Sequence, residues 1–154
     1  MAGSIEDRLS ALGITLPEAA APAANYVPFV HHGDLLFISG QVPMGPSGIE
    51  HVGKLGDDYS VEQGQTAAKL CAINILAQAK AALGSLDNIA RMVKLTGFVN
   101  ATPDFGDQPK VVNGASDFMV EILGDAGRHS RSAVGVGSLP FGVAVEVEAI
   151  LACK

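Results

Sequence analysis

The stretch at positions 143–151, VAVEVEAIL, alternates so regularly that as a strand it can bury only one of its faces. Val143, Val145, Val147, Ala149 and Leu151 point one way, and Ala144, Glu146, Glu148 and Ile150 the other. Any fold containing this strand must cover the first face with an apolar layer. It must also accommodate two carboxylates about 6.5–7 Å apart, twice the rise of a strand residue. Two readings of that pair stand open. One is a solvated or subunit-facing sheet surface with salt-bridged acids, and the other is a pair kept for chemistry.

The covering layer is legible upstream. Ser60 opens a helix, with Gln63 completing a capping box, and Ala68, Cys71, Ala72, Ile75, Leu76, Ala79 and Leu83 recur at the helical period until Gly84 stops it. A second helix starts near Asp107 with Pro109 in its first turn. Val111, Ala115, Phe118, Met119 and Ile122 form its apolar side, and Gly124 and Gly127 end it. Strand-like runs fall at 26–31 and 34–39, separated by His32-Gly33, and at about 91–99, 132–137 and 143–152. The order strand, strand, helix, strand, helix, strand, strand predicts an α+β domain: a single mixed sheet with two helices packed on one face. The other face then needs a cover, most simply another subunit, which points to an oligomer.

At 154 residues the chain is one domain, 1–154, able to bury roughly 70% of its unfolded surface. Residues 4–12 predict a short helix capped by Ser4 and Asp7 and stopped by Gly13, inside an N-terminal extension, 1–21. The Gly- and Pro-rich segment 43–59 predicts a long loop. Charged residues make up only 17%, and the net charge of -6 with no basic stripe argues against a nucleic-acid partner. No apolar stretch approaches the ~20 residues of a membrane span, and MAGSIEDRLS lacks the cationic start of a secretory signal. Cys71 and Cys153 suggest no disulfide framework. These features predict a cytoplasmic protein without a membrane partner.

Arg131 stands just before a strand, in GRHSRS at 127–132. Its planar fork matches a carboxylate bidentately, but an ion pair with one of the glutamates explains it equally well. His31, His32, His51 and His129 have no metal-ligand spacing, and His129 reads as a surface loop residue, with a place bordering an Arg131 cleft as the alternative. Phe29, Phe37, Phe98 and Phe118 read as core.

LFISGQVP at 36–43, FGDQPKVVNGASDF at 105–118, Arg131-Ser132, Leu139-Pro140 and VEVEAI at 145–150 occur in an order that resembles the RidA/YjgF family, also called endoribonuclease L-PSP-like. Tyr26, thirteen residues before Ser39, fits the same pattern, and the likeness spans roughly residues 22 to 152. The resemblance implies a chorismate-mutase-like fold and a homotrimer with ligand clefts between subunits. It further implies hydrolytic deamination of reactive enamines or imines, such as 2-aminoacrylate, to 2-keto acids. By position, Arg131 would grip the carboxylate of a small metabolite and Glu146 would orient or activate water. Tyr26, Ser39, Gly40, Asn113 and Ala133 would line the pocket. No metal or organic cofactor is implied. Ala133 departs from the cysteine that the deaminating branch often carries there, and the N-terminal and 43–59 segments are longer than in short deaminating members. A non-catalytic carboxylate-binding trimer is the alternative, with endoribonuclease behind it.

Overall fold

The computed structural model describes residues 3–22 and 24–154. Along the chain run α1 (Ile5–Ala11), β1 (Phe29–His32), β2 (Leu35–Gln41), β3 (Met44–Gly45) and β4 (Gly48–Ile49). After these come α2 (Val61–Leu83), β5 (Ile89–Asn100), α3 (Gln108–Leu123), β6 (Ser130–Val136) and β7 (Val145–Cys153). The main sheet has the order β1-β2-β7-β5-β6. Only β5 and β6 are parallel, so the sheet is mixed.

The alternation of β7 sets the layers. Val145, Val147, Ala149 and Leu151 are buried in one core with Cys71, Ile75 and Leu76 of α2 and Val112, Ala115 and Met119 of α3. Glu146 and Glu148 leave from the helix-free face. Both long helices therefore lie on one side of the sheet, as the order of elements predicts. Their approach depends on small residues. Gly97 of β5 sits under Val112, and Gly114 of α3 lies against the backbone carbonyl of Gln65 on α2. The capping boxes at Ser4 and Ser60 form as their sequence spacing predicts.

Several expectations need correction. The β1–β2 turn is Gly33-Asp34 rather than His32-Gly33, with Gly33 at a φ of 61°, a conformation that glycine adopts without cost. Arg131 lies within a strand, because β6 pairs with β5 from Lys94↔Ser130 onward. The one main sheet is as expected, and β3 and β4 add a small two-stranded ribbon beside it. The 43–59 segment is also pinned to the body: Leu55 is fully buried, its N–H donates to the Asn100 carbonyl at 2.9 Å, and Val52 bridges to Val143. Of the four phenylalanines read as core, only Phe118 is fully buried, whereas Phe37 is 40% exposed on the helix-free face.

Two substitutions probe this packing. Gly114→Ala drives a methyl into a backbone carbonyl that cannot rotate away, and denaturant titration should show a loss of about 1–3 kcal/mol. Leu55→Ala should cost about 2–5 kcal/mol in the same experiment if the 43–59 segment is part of the cooperative unit. A near-neutral result would mean that the segment opens independently.

Candidate functional site

The residues singled out by sequence fall into two groups at different places in the sheet. The first gathers around Glu146. The pairing of β2 with β7 slips between Ile38 and Gln41, so Ser39 and Gly40 bulge out of the regular ladder. The Glu146 carboxylate turns into the opening and lies against Gly40, where the place of a Cβ would be taken by Oε1. Ser39 is fixed at both ends, its Oγ donating to the Val27 carbonyl at 2.8 Å and its N–H to the Pro28 carbonyl at 3.0 Å. Tyr26, Ser39, Gly40 and Glu146 line one cavity of about 210 Å³, together with Phe141 and the amides Gln41, Asn74 and Gln78. Burial, and secondarily the neighbouring Glu148 charge, hold the Glu146 carboxyl above the usual carboxylate range. A carboxylate so placed is a stronger base than a solvated one.

The second group surrounds Arg131. Its pairing opposite Leu95 sends the side chain to the helix side of β6, at the edge of the sheet. There Nη1 donates to Asn113 Oδ1 at 2.8 Å and to Ser116 Oγ at 3.2 Å, and Nη2 donates to the Pro109 carbonyl at 3.4 Å. His129 supports the arrangement. Its Nδ1 donates to the Gly127 carbonyl at 2.6 Å, which in the neutral ring leaves Nε2 to accept from the Ser116 hydroxyl at 2.9 Å. Ala133 follows two residues on, packed against the core with only a methyl to offer.

All partners of Arg131 are neutral. Among the described residues no carboxylate lies within ion-pair distance of it. Three of its five N–H groups are engaged, leaving Nε–H and one on Nη2 free for a carboxylate. An intrachain pair with Glu146 does not form. Their strands stand two ladder steps apart, roughly 10 Å, the side chains leave from opposite faces, and Glu146 turns away toward β2. Within one chain the two groups are therefore separate.

Sequence reasoning missed several of these residues. Ser116 belongs to the Arg131 network, and its signal was the helical i, i+3 spacing from Asn113. For His129 it is the alternative reading, a place beside Arg131, that the structure bears out. Asn74 and Gln78, four residues apart, are amides bordering the apolar stripe of α2. Phe141 gave no sequence signal.

Against known proteins, residues 6–148 match the family model described as "YjgF/chorismate_mutase-like, putative endoribonuclease". The chain belongs to the YjgF family. Among its relatives, Protein TCP17 of Trypanosoma cruzi is 49% identical over 150 residues, 97% of this chain and 94% of that one. The crystal structure of Atu1372 from Agrobacterium tumefaciens, a protein of unknown function, superposes with a TM-score of 0.92 at 51% identity, over 98% of this chain and 94% of that one. Escherichia coli TdcF, crystallised with bound serine, aligns at 0.65 with 29% identity, over 89% of this chain and 94% of its own. The family fold is thus shared, with a much nearer match to the Atu1372 type. No helix among the described residues is long and apolar enough to cross a membrane.

The raised Glu146 pKa has a signed consequence for stability. The folded chain holds this proton more tightly than the unfolded one, so the burden of the buried charge is absent below the ordinary value of 4.5. It grows as the pH rises and is complete above the folded-state pKa. Glu146→Gln removes it. Thermal melts of both proteins from about pH 4 to pH 8 should nearly coincide in acid and separate toward neutrality, with the glutamine variant the more stable. Curves that stayed parallel would mean that a cation from outside the chain neutralises the carboxylate.

Proposed function

We propose that copies of this chain, as a homotrimer, join the two half-sites in inter-subunit clefts and there hydrolyse reactive enamines or imines of the 2-aminoacrylate type to 2-keto acids. The observation that carries this reading is the complementarity of the halves. One presents an oriented guanidinium with no acid to pair with, and the other a half-buried carboxylate with no donor among the described residues. The helix-free face supports a partner copy, since Val30 and Phe37 stand 50% and 40% exposed on neighbouring strands. Bound serine in TdcF, itself a small carboxylate, fits the same class of ligand.

In this mechanism Arg131 binds the substrate carboxylate bidentately, with Asn113 and Ser116 fixing the plane of the fork. Protonation of the enamine at its methylene carbon by solvent, or tautomerisation followed by protonation at nitrogen, gives the protonated imine, whose carbon is already electrophilic. Glu146 takes a proton from water as the water oxygen bonds to that carbon, giving a carbinolamine. Glu146 passes that proton to nitrogen, then takes the hydroxyl proton as the C–N bond breaks, so that ammonia leaves and the C=O of the keto acid forms. The protein supplies mainly position and a base. The net charge of -6 and the acceptor-lined cavity favour this reading over RNA cleavage.

The test generates 2-aminoacrylate in situ with a coupled enzyme and follows keto-acid release. Wild type should accelerate release, Arg131→Ala should lose the effect chiefly through KM, and Glu146→Gln should lower kcat by about 10²–10⁴. A folded oligomer that binds the carboxylate through Arg131 but gives no acceleration would sink the deaminase reading and leave a non-catalytic binder.

A further inference from the structure

One wall of the Glu146 cavity is built from three amides, Gln41, Asn74 and Gln78, which are only 9%, 6% and 2% exposed. Buried amides are costly unless their polar atoms are matched. Their nitrogens are matched. Gln41 Nε2 donates to the Ser39 carbonyl at 2.9 Å, and Gln78 Nε2 to the Ala20 carbonyl at 2.8 Å. Asn74 Nδ2 faces the carbonyls of Met44, Leu70 and Val42 at 3.0, 3.1 and 3.3 Å. Among the described residues, none of the three amide oxygens accepts a hydrogen bond. Each N–H group thus locks its amide plane and leaves the acceptor end unused.

The rest of the cavity has the same polarity. Glu146 contributes a carboxylate, and no Lys, Arg or His lines the space. Tyr26 and Phe141, 52% and 69% exposed, add two aromatic rings. Phe141 is held there at a φ of 59°, a left-handed conformation that is strained for an aromatic residue. The volume of about 210 Å³ matches roughly seven water molecules, enough for the end of a side chain.

Acceptors, a negative charge and aromatic rings without opposing cations are complementary to one kind of group. We propose that this cavity recognises a cationic, N–H-rich side-chain terminus, an ammonium or guanidinium, so that the preferred substrates are 2-imino acids derived from basic amino acids. The proposal rests on the deaminase reading and extends it: Arg131 of a second copy holds the carboxylate, and the amide wall holds the far end. A guanidinium brings five donors and an ammonium three. Hydrogen bonds to a charged donor are about twice as strong as neutral ones, and the rings add cation–π attraction. An aliphatic side chain would displace water from the three oxygens and give nothing back. A second carboxylate, with Arg131 already engaged by the first, would meet the like charge of Glu146 and only neutral donors.

The test generates imines from arginine, leucine and glutamate with amino-acid oxidases and compares their accelerated hydrolysis by the full chain. The arginine-derived imine should show a kcat/KM about tenfold or more above the leucine-derived one, with the glutamate-derived imine poorest. Gln78→Met, similar in length but lacking the acceptor, should collapse the arginine-to-leucine ratio. An equal loss on both substrates would reduce Gln78 to a structural role and overturn the proposal. An active wild type with no preference for the arginine-derived imine would overturn it too, while leaving the deaminase reading standing. Calorimetry with free arginine, leucine and glutamate separates the remaining case. Selective arginine binding without turnover would uphold the cation subsite and sink the catalytic reading, and no selectivity in either assay would remove the subsite.

Discussion

The burial of one face of β7 is the constraint on which the rest of the structure depends. This strand pairs antiparallel with β2 on one side and β5 on the other, so its pleat fixes the facing of three strands at once. Val145, Val147 and Leu151 go beneath the helices, and the carboxylates must go to the other side. A slip of one residue would place Glu146 and Glu148 in the core and the valines outside, an exchange no other part of the chain could offset. The Glu146 carboxylate is thus located by the same alternation that builds the core.

Irregularities then turn a sheet surface into a site. The bulge at Ser39 and Gly40 opens a gap in the ladder, and glycine leaves room there for a carboxylate against the backbone. The cavity is closed by segments that look dispensable in sequence. The N-terminal stretch contributes Ala20, which receives the Gln78 amide, and β3 contributes the Met44 carbonyl, which receives Asn74. The Arg131 half is organised differently, around an edge strand whose charged side chain rests on the polar side of α3.

The comparisons within the YjgF family concern the fold. The close superposition on Atu1372, against the looser one on TdcF, indicates a common frame with differently built surroundings. In this chain the surroundings of Glu146 are rich in amide acceptors and poor in cations. Electrostatics of that kind set which ligand is accepted more than how tightly it is held.

Periodicity alone made much of the fold legible. The two helices, their caps, the facing of β7 and the single helical face all follow from local repeats of 3.6 and 2 residues, because burial acts on each element through its own geometry. Asn113 and Arg131 were also legible, and they do meet, across eighteen residues of chain. What local pattern could not carry was the relation between elements that are distant in sequence. The pinning of Leu55 beside Asn100, the turn of Glu146 toward Gly40, and the gathering of Gln41, Asn74 and Gln78 around one cavity depend on contacts spanning about 30 to more than 100 residues. So does the separation of Arg131 from Glu146. The sequence by itself determined which faces are apolar, because that is a property of short repeats. Only the tertiary structure decided that Arg131 and Glu146 stand apart in one chain, because strand order is set by long-range pairing that no local period encodes.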